Sequence, residues 1–302
     1  MTTCRARLAI VGGGLAGLVA AWRLVQQGMR DIVLLEARTT LGGRILSVDP
    51  AGSLVDMTAS TLDRFDLGPS WFWPALQPQL DQLVTELGVQ RFAQFEDGDL
   101  LVERSAQTPP LRTQAYASEP LSMRLAGGTG ALVAALHARL DPAIVRTGQT
   151  VRRLRREAHR VELTVDDVAG MSGVCLAEQV LLALPPRIAA TRLQFDPPLP
   201  AELARRWRAT PTWMAPHAKY VAVFDSSFWR EQGLSGGARS NVGPMGEVHE
   251  SRCPAATPRC SASSVCRRWC VVRSATRCCV PTAARNSYGC LASAPAHRQV
   301  MP

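Results

Sequence analysis

An α/β fold is predicted by the N-terminal part of this 302-residue chain, from three features read in order. A short apolar run, Leu8-Ala9-Ile10-Val11, suits a strand buried on both faces of a parallel sheet. It passes directly into Gly12-Gly13-Gly14-Leu15-Ala16-Gly17 and then into the helical pattern LVAAWRLVQQG, which Gly28 ends. A second apolar run, DIVLLE, closes on Glu36. A G-x-G-x-x-G turn is weak evidence by itself; set between strand and helix, with an acid at the end of the next strand, it is the dinucleotide-binding arrangement.

Each element has a physical reason. Gly12 permits the tight turn, Gly14 lets the backbone approach a pyrophosphate, and Gly17 lets the helix lie close to the strand. The helix N-terminus then faces the phosphate charge. Glu36, 24 residues beyond Gly12, stands where a carboxylate accepts from ribose hydroxyls. The continuation EARTTLGGR adds a second glycine pair, Gly42 and Gly43, and a cation, Arg44, which offer backbone donors and charge to a diphosphate.

Together, VGGGLAGL and LLEARTTLGGR resemble the FAD-binding N-terminus of the flavin amine oxidase family, the monoamine oxidase and L-amino-acid oxidase relatives. The resemblance implies FAD rather than NAD, held by a Rossmann-like FAD-binding domain of the glutathione reductase type, with an α+β substrate domain. It assigns Gly12, Gly14, Ala16, Gly17, Glu36, Ala37, Gly42, Gly43 and Arg44 to the cofactor. DLGPSW resembles the family's next flavin-contacting segment and adds Gly68, Ser70 and Trp71. Val151 matches a residue that touches the adenine.

Residues 1–70 and 122–190 are read as the FAD-binding domain, 71–121 and 191–250 as the substrate domain, and 251–302 as a Cys/Arg-rich tail. FWPALQPQLDQLVTELGV reads as a helix with a proline-rich start, and residues 92–121 as short strands and loops. LAGGTGALVAALHARL is a glycine turn before an amphipathic helix, its GGTG a helix start rather than a second phosphate loop. TVRRLRREAHRVELTV alternates as two strands around a turn, with Arg152, Arg153, Arg155 and Arg156 on a solvated face. QVLLALPPRIAATRLQFDPPLP reads as a buried strand stopped by prolines.

Of the 34 basic residues, 33 are arginine; Lys219, in HAKYVAVFDSSFW, is the single lysine. Arginine is bulkier and cannot lose its proton in a protein, so a sole lysine among arginines marks a place where a compact amine is needed. In the alternating strand it shares a face with Val221 and Val223, a half-buried setting that would lower its pKa. The resemblance runs through AKYVAVFDSSFW and makes Lys219 the catalytic residue that hydrogen-bonds through water to the flavin N5. The reaction implied takes a hydride equivalent from the Cα–H of a small-molecule amine, leaving an imine that water hydrolyses, with O2 or another acceptor reoxidising the flavin.

The formal charge of +9 divides unevenly: residues 1–250 carry 26 basic and 25 acidic side chains, and residues 251–302 carry eight arginines and no acid. Basicity confined to a tail gives no support to nucleic-acid binding. Seven of the nine cysteines fall after residue 251, at successive gaps of 7, 6, 4, 8, 1 and 11 from Cys253. These gaps lack the paired short spacings of a zinc site, so no metal is expected, nor do His137, His159, His217 and His249 supply ligand spacing. The tail is expected to be irregular, either disordered or out of frame. GC-rich codons for residues 259–271 and 285–293, read two nucleotides later, can spell LFGFVGVPPVVR and QLVRLLGE, a strand and helix of the kind the family would place next. Because nothing in 251–302 resembles the family's flavin-covering strand and helix, weak FAD retention and little activity are expected.

LAIVGGGLAGLVAAW superficially resembles a leader, but its glycines argue otherwise; no long charge-free apolar run follows, so no membrane span is expected and cytoplasm is the default. No Ser-His-acid constellation supports hydrolase chemistry. A related FAD desaturase or porphyrinogen oxidase, and a non-enzymatic module binding zinc or a partner through its tail, are the competing readings.

Overall fold

The computed structural model describes residues 3–49, 51–56, 64–212, 217–224, 226–243, 245–251, 260–267 and 298–300. In chain order its elements begin with β1 (Thr3–Val11), α1 (Leu15–Gln26), β2 (Ile32–Leu35), β3 (Ser47–Val48), β4 (Phe65–Asp66), α2 (Pro78–Glu86), β5 (Arg91–Ala93) and β6 (Asp99–Glu103). Then come β7 (Leu111–Gln114), β8 (Met123–Leu125), α3 (Gly130–His137), β9 (Val145–Arg146), β10 (Thr150–Arg156), β11 (Val161–Asp166), β12 (Ser172–Leu182) and α4 (Pro186–Arg192). The last are β13 (Gln194–Asp196), α5 (Ala201–Ala209), β14 (His217–Phe224), α6 (Phe228–Glu231), β15 (Leu234–Ser240), β16 (Met245–Glu250), β17 (Cys260–Arg267) and β18 (Arg298–Val300).

The chain divides into two compact units. The first holds the described residues of 1–45, 56–59 and 132–213, and the second those of 46–55, 60–131 and 214–302. This division differs from the sequence-based one. Residues 64–70 and 122–131 fall in the second unit, where the carboxylate of Asp66 binds Thr129. Residues 191–212 fall in the first, because β13 pairs in parallel with β10.

The first unit is built on a sheet ordered β13-β10-β11-β12-β1-β2-β9. Its centre, β12-β1-β2-β9, is parallel throughout. The apolar run Leu8–Val11 forms the buried C-terminal end of β1, and all of β2 is buried, as strands covered on both faces must be. On α1 the buried residues Gly17, Leu18, Ala21 and Trp22 form one stripe, and the 3.6-residue period brings that stripe to the core. The hairpin of β10 and β11 carries a register shift between Val151 and Arg153, which breaks strict alternation and leaves Arg152 and Arg153 both exposed. Arg152, Arg153 and Arg155 pair with Asp166, Asp196 and with Glu157 and Glu162. Two details depart from expectation: β12 is not buried at its end, with Leu181 exposed, and the prolines after it open α4 at Pro186 rather than only stopping a strand.

The second unit holds a sheet ordered β18-β14-β17-β16-β15-β6-β7 and the two-stranded pairs β3-β4 and β5-β8. One face of β14 sets Val221 and Val223 against Val48, Phe65 and Leu67; the other packs Tyr220, Ala222 and Phe224 with Trp229, Leu234 and Val248. The tail corrects the expectation of irregularity: residues 260–267 are a strand antiparallel to both β14 and β16, and residues 298–300 pair with β14. Backbone pairing places this strand despite its weak apolar pattern, because β14 and β16 each present a row of donors and acceptors that needs a partner. The rest of the tail, 252–259, 268–297 and 301–302, lies outside the described residues.

Candidate functional site

In the first unit the glycine turn is fixed by the sheet around it. Gly12 N–H donates to the Leu35 carbonyl at 2.8 Å, and Ala183 N–H to Val11 at 2.9 Å. Gly12 has φ +114°, and a Cβ there would lie 2.6 Å from the Ala183 oxygen, so glycine alone fits. A Cβ on Gly17 would lie 1.9 Å from the Gly12 oxygen, which is the close helix approach the spacing predicted. Gly14 is different. Its backbone is extended, at φ −75°, and a Cβ would meet nothing nearer than 3.8 Å. Neither strain nor crowding requires glycine at 14, so its reason is open backbone. No side chain caps α1, and its first-turn N–H groups therefore remain available to an anion.

Glu36 is buried at the end of β2. Its Oε2 accepts from Gly13 N–H at 2.6 Å and its Oε1 from Arg38 N–H at 2.9 Å. Two of about four acceptor positions are thus used, and the remainder can take ribose hydroxyls. Gly13, which the spacing argument passed over, is held to glycine by Glu36 Cβ and Leu41, 2.8 and 2.7 Å from where its Cβ would stand. The second glycine pair lies on the first turn: Gly42 N–H donates to Gly13 at 2.9 Å, and Gly43, at φ +62°, would bring a Cβ 3.1 Å from Gly14 Cα. Arg38 Nη1 holds the Gly43 carbonyl at 2.8 Å. Ala16 is exposed in the first turn of α1, and Ala37 and Arg44 are exposed on the loop that follows β2. Val151 is buried in β10; the chain leading to it is tied to Glu36 through Gln149 N–H, 2.8 Å from the Glu36 carbonyl. The structure therefore brings together Gly12, Gly14, Gly17, Glu36, Gly42 and Gly43.

Gly68, Ser70 and Trp71 belong to the second unit, and there Gly68 and Ser70 meet Lys219. Lys219 Nζ donates to the carbonyls of Asp66 at 3.0 Å and Gly68 at 2.8 Å, and to Ser70 Oγ. Burial draws its pKa down from 10.5 to about 8; the Asp66 carboxylate opposes the shift and Arg124 adds to it. The Asp66 carboxyl is itself pushed above its ordinary range by burial, against the pull of Arg124, Lys219, Thr129 and Ser47. Thr129 N–H and Oγ1 and Ser47 Oγ all donate to that carboxyl at 3.1 Å. The GGTG turn thus opens α3, as expected, and the group its backbone and Thr129 hold is the Asp66 carboxyl.

Arg124, within the short strand β8, is buried. Its Nε donates to the Ser70 carbonyl at 3.3 Å, Nη1 to the Glu250 carbonyl at 2.9 Å and Nη2 to Ser251 Oγ at 3.1 Å. Its guanidinium carbon lies 5.7 Å from the Trp71 ring, which meets His249 edge-on at 5.0 Å. Glu250 accepts from Trp229 Nε1 at 2.8 Å and from Arg230 Nη2 at 2.6 Å. Gln94 Nε2 donates to the same Glu250 carbonyl at 3.1 Å, while its buried Oε1 has no partner among the described residues. Asp66, Gln94, Arg124 and Glu250 were missed in the sequence. A charged residue inside the apolar run of β8 was the one available signal. Among the described residues no three metal-ligating side chains cluster, and no helix is long and apolar enough to cross a membrane.

Residues 10–87 match the profile of an NAD(P)-binding Rossmann-like domain, and residues 105–267 that of flavin containing amine oxidoreductases. The chain is 36% identical over 90 residues to the putrescine oxidase of Kocuria rosea, covering 30% of this chain and 16% of that protein. It is 54% identical over 41 residues to the tryptophan 2-monooxygenase of Pseudomonas savastanoi, covering 14% of this chain and 7% of that protein. Among solved structures, a double mutant of putrescine oxidase superimposes with a TM-score of 0.78 at 18% identity, over 97% of this chain and 83% of the other. Cyclohexylamine oxidase from Brevibacterium oxydans gives 0.74 at 16%, over 94% and 79%. These superpositions show the fold. The aligned stretch spans about a quarter or less of the curated relatives it matches.

Proposed function

Because the chain belongs to the flavin containing amine oxidoreductase family, we propose that it holds FAD and oxidises the CH–NH group of a small amine to an imine, passing the electrons to O2 or another acceptor. On this reading the first unit is the FAD domain and the second the substrate domain. The observation that carries it is Lys219: the one lysine of the chain, drawn toward neutrality by burial and aimed at three acceptors of the segment 66–70.

The residues present fit the cofactor. Open backbone at Gly14, the uncapped first turn of α1 and the Gly42–Gly43 loop would take the pyrophosphate. Glu36, with acceptor positions to spare, would take the ribose, and Arg44 supplies a nearby cation. When bound, the flavin supplies the hydride acceptor. The chain's own contribution is positional and electrostatic. Glu36 fixes Gly13 and hence the turn, while Asp66 fixes the Thr129 turn. With a pKa of about 8, Lys219 can give up and retake a proton at Nζ near neutral pH, which no arginine could do. The leader-like apolar stretch folds as β1, the glycine turn and α1.

Cofactor extraction tests the reading. Purified protein reconstituted with FAD should retain it through gel filtration and release FAD, not NAD, on denaturation. Gly14→Ala should lose the flavin while its melting temperature stays within about 2 °C of wild type, since the added methyl meets only open space. Recovery of NAD alone, or flavin retained unchanged by Gly14→Ala, would count against the assignment.

A further inference from the structure

The proposed chemistry leaves two buried nucleophiles unused. Cys4 and Cys175 are free thiols on neighbouring strands, and the parallel register of β1 and β12 sets them directly opposite one another. Register partners in a parallel pair point to the same face, and both side chains lie in one core cluster, with Val33, Leu35 and Leu163. Hydrogen-bonded strands run about 4.8 Å apart. That spacing falls inside the roughly 4.4–6.8 Å Cα separation a disulfide accepts, so the ladder already holds the two residues within bridging reach.

We propose that Cys4 and Cys175 form a dithiol modification site, closed to an intramolecular disulfide by hydrogen peroxide and reopened by small thiols. The first step is attack of the Cys4 thiolate on peroxide: the O–O bond breaks, an S–O bond forms, and one water leaves with a proton from solvent. The Cys175 sulfur then displaces hydroxide from the sulfenic acid, forming the S–S bond, and its proton leaves in the second water. Two thiols and one peroxide thus give one disulfide and two waters. The electrostatics suit this division of labour. The hydrogen bond from the Cys175 thiol, aided by the charge of Arg146, lowers Cys4 from 9.0 to about 7 against the cost of burial. Cys175 is pushed upward by the same pairing and by burial, and stays a thiol until the second step. A bridge between adjacent strands is constrained by the ladder, and constrained disulfides have the higher, more easily reduced potentials. The site does not depend on the amine oxidase reading, although an oxidase using O2 would release hydrogen peroxide as its product.

The test is peptide mapping of the whole chain after treatment with hydrogen peroxide, alkylation and non-reducing digestion. The expected result is a peptide containing Cys4 linked to one containing Cys175, lost on dithiothreitol treatment. In Cys175→Ser the linked pair should vanish and Cys4 should be trapped as a sulfenic acid by a 1,3-dione reagent. The proposal is overturned if Cys4 and Cys175 both stay reduced while the tail cysteines oxidise, or if Cys4 is recovered bound to a tail cysteine. Failure of FAD retention would leave this result unaffected, so the two readings fail separately.

Discussion

At the scale of single residues, Lys219 is the side chain on which the proposed chemistry depends. Its place on the face shared with Val221 and Val223 was legible from alternation, and its singularity from composition. Two of its three partners were not legible, because they are backbone carbonyls of Asp66 and Gly68, which carry no sequence signature. Burial of this amine predicts a pH signature. Below pH 8 it is protonated in both folded and unfolded chain, and its burial cost is felt in full. As pH rises from about 8 to 10.5 the folded chain releases the proton first, the unfolded chain binds more protons, and stability rises. The rise should be on the order of 3 kcal/mol across that window. Urea unfolding of wild type and Lys219→Met at several alkaline pH values measures it. The wild-type curve should climb relative to the variant, and parallel curves would show that the folded chain does not hold this amine in a depressed state.

The elements show where pattern reading succeeds and where it stops. Strand, turn, helix and strand from Leu8 to Glu36 were legible because local sequence and burial agree, as they do for the helix α3 after its glycine turn. Strand β17 was not: CSASSVCR has little apolar alternation, and the strand is set by β14 and β16 on either side of it. The bulge in β10 was equally hidden, since nothing in RRLRR distinguishes it from a regular strand. A consequence for β14 can be measured. Paired with β17 along its whole length and with β18 over Val221–Val223, it should exchange its amide protons far more slowly than β7, which borders β6 alone and is largely exposed. Hydrogen exchange read by mass spectrometry compares peptides spanning residues 217–224 and 111–114. Equal, fast exchange in both would mean that β17 does not cover β14.

For the whole molecule, the division of charge and composition at residue 251 remains the plainest feature of the sequence, with every acidic residue on one side of it. The expectation of little activity rested on the view that nothing beyond that point belongs with the rest. The family profile extends to residue 267, and residues 260–267 are hydrogen-bonded into the sheet that carries Lys219, which removes part of that ground. What also escaped the sequence is the boundary between units: Gly68 and Ser70 were grouped with the glycine loops by order along the chain, whereas they meet Lys219 of β14. Long-range pairing decides such groupings, and order along the chain does not encode it. The central claim is that these parts amount to an FAD-dependent amine oxidase. Its most direct measurement is the visible spectrum of the FAD-reconstituted chain under anaerobic conditions during titration with a panel of primary amines and diamines. The account predicts that at least one amine bleaches the flavin band, and that Lys219→Met slows amine-driven bleaching or the return of colour on admitting oxygen by tenfold or more, on the order of 1.4 kcal/mol. A flavin that dithionite bleaches but no amine does, or a Lys219→Met variant that reacts at the wild-type rate in both half-reactions, would contradict it.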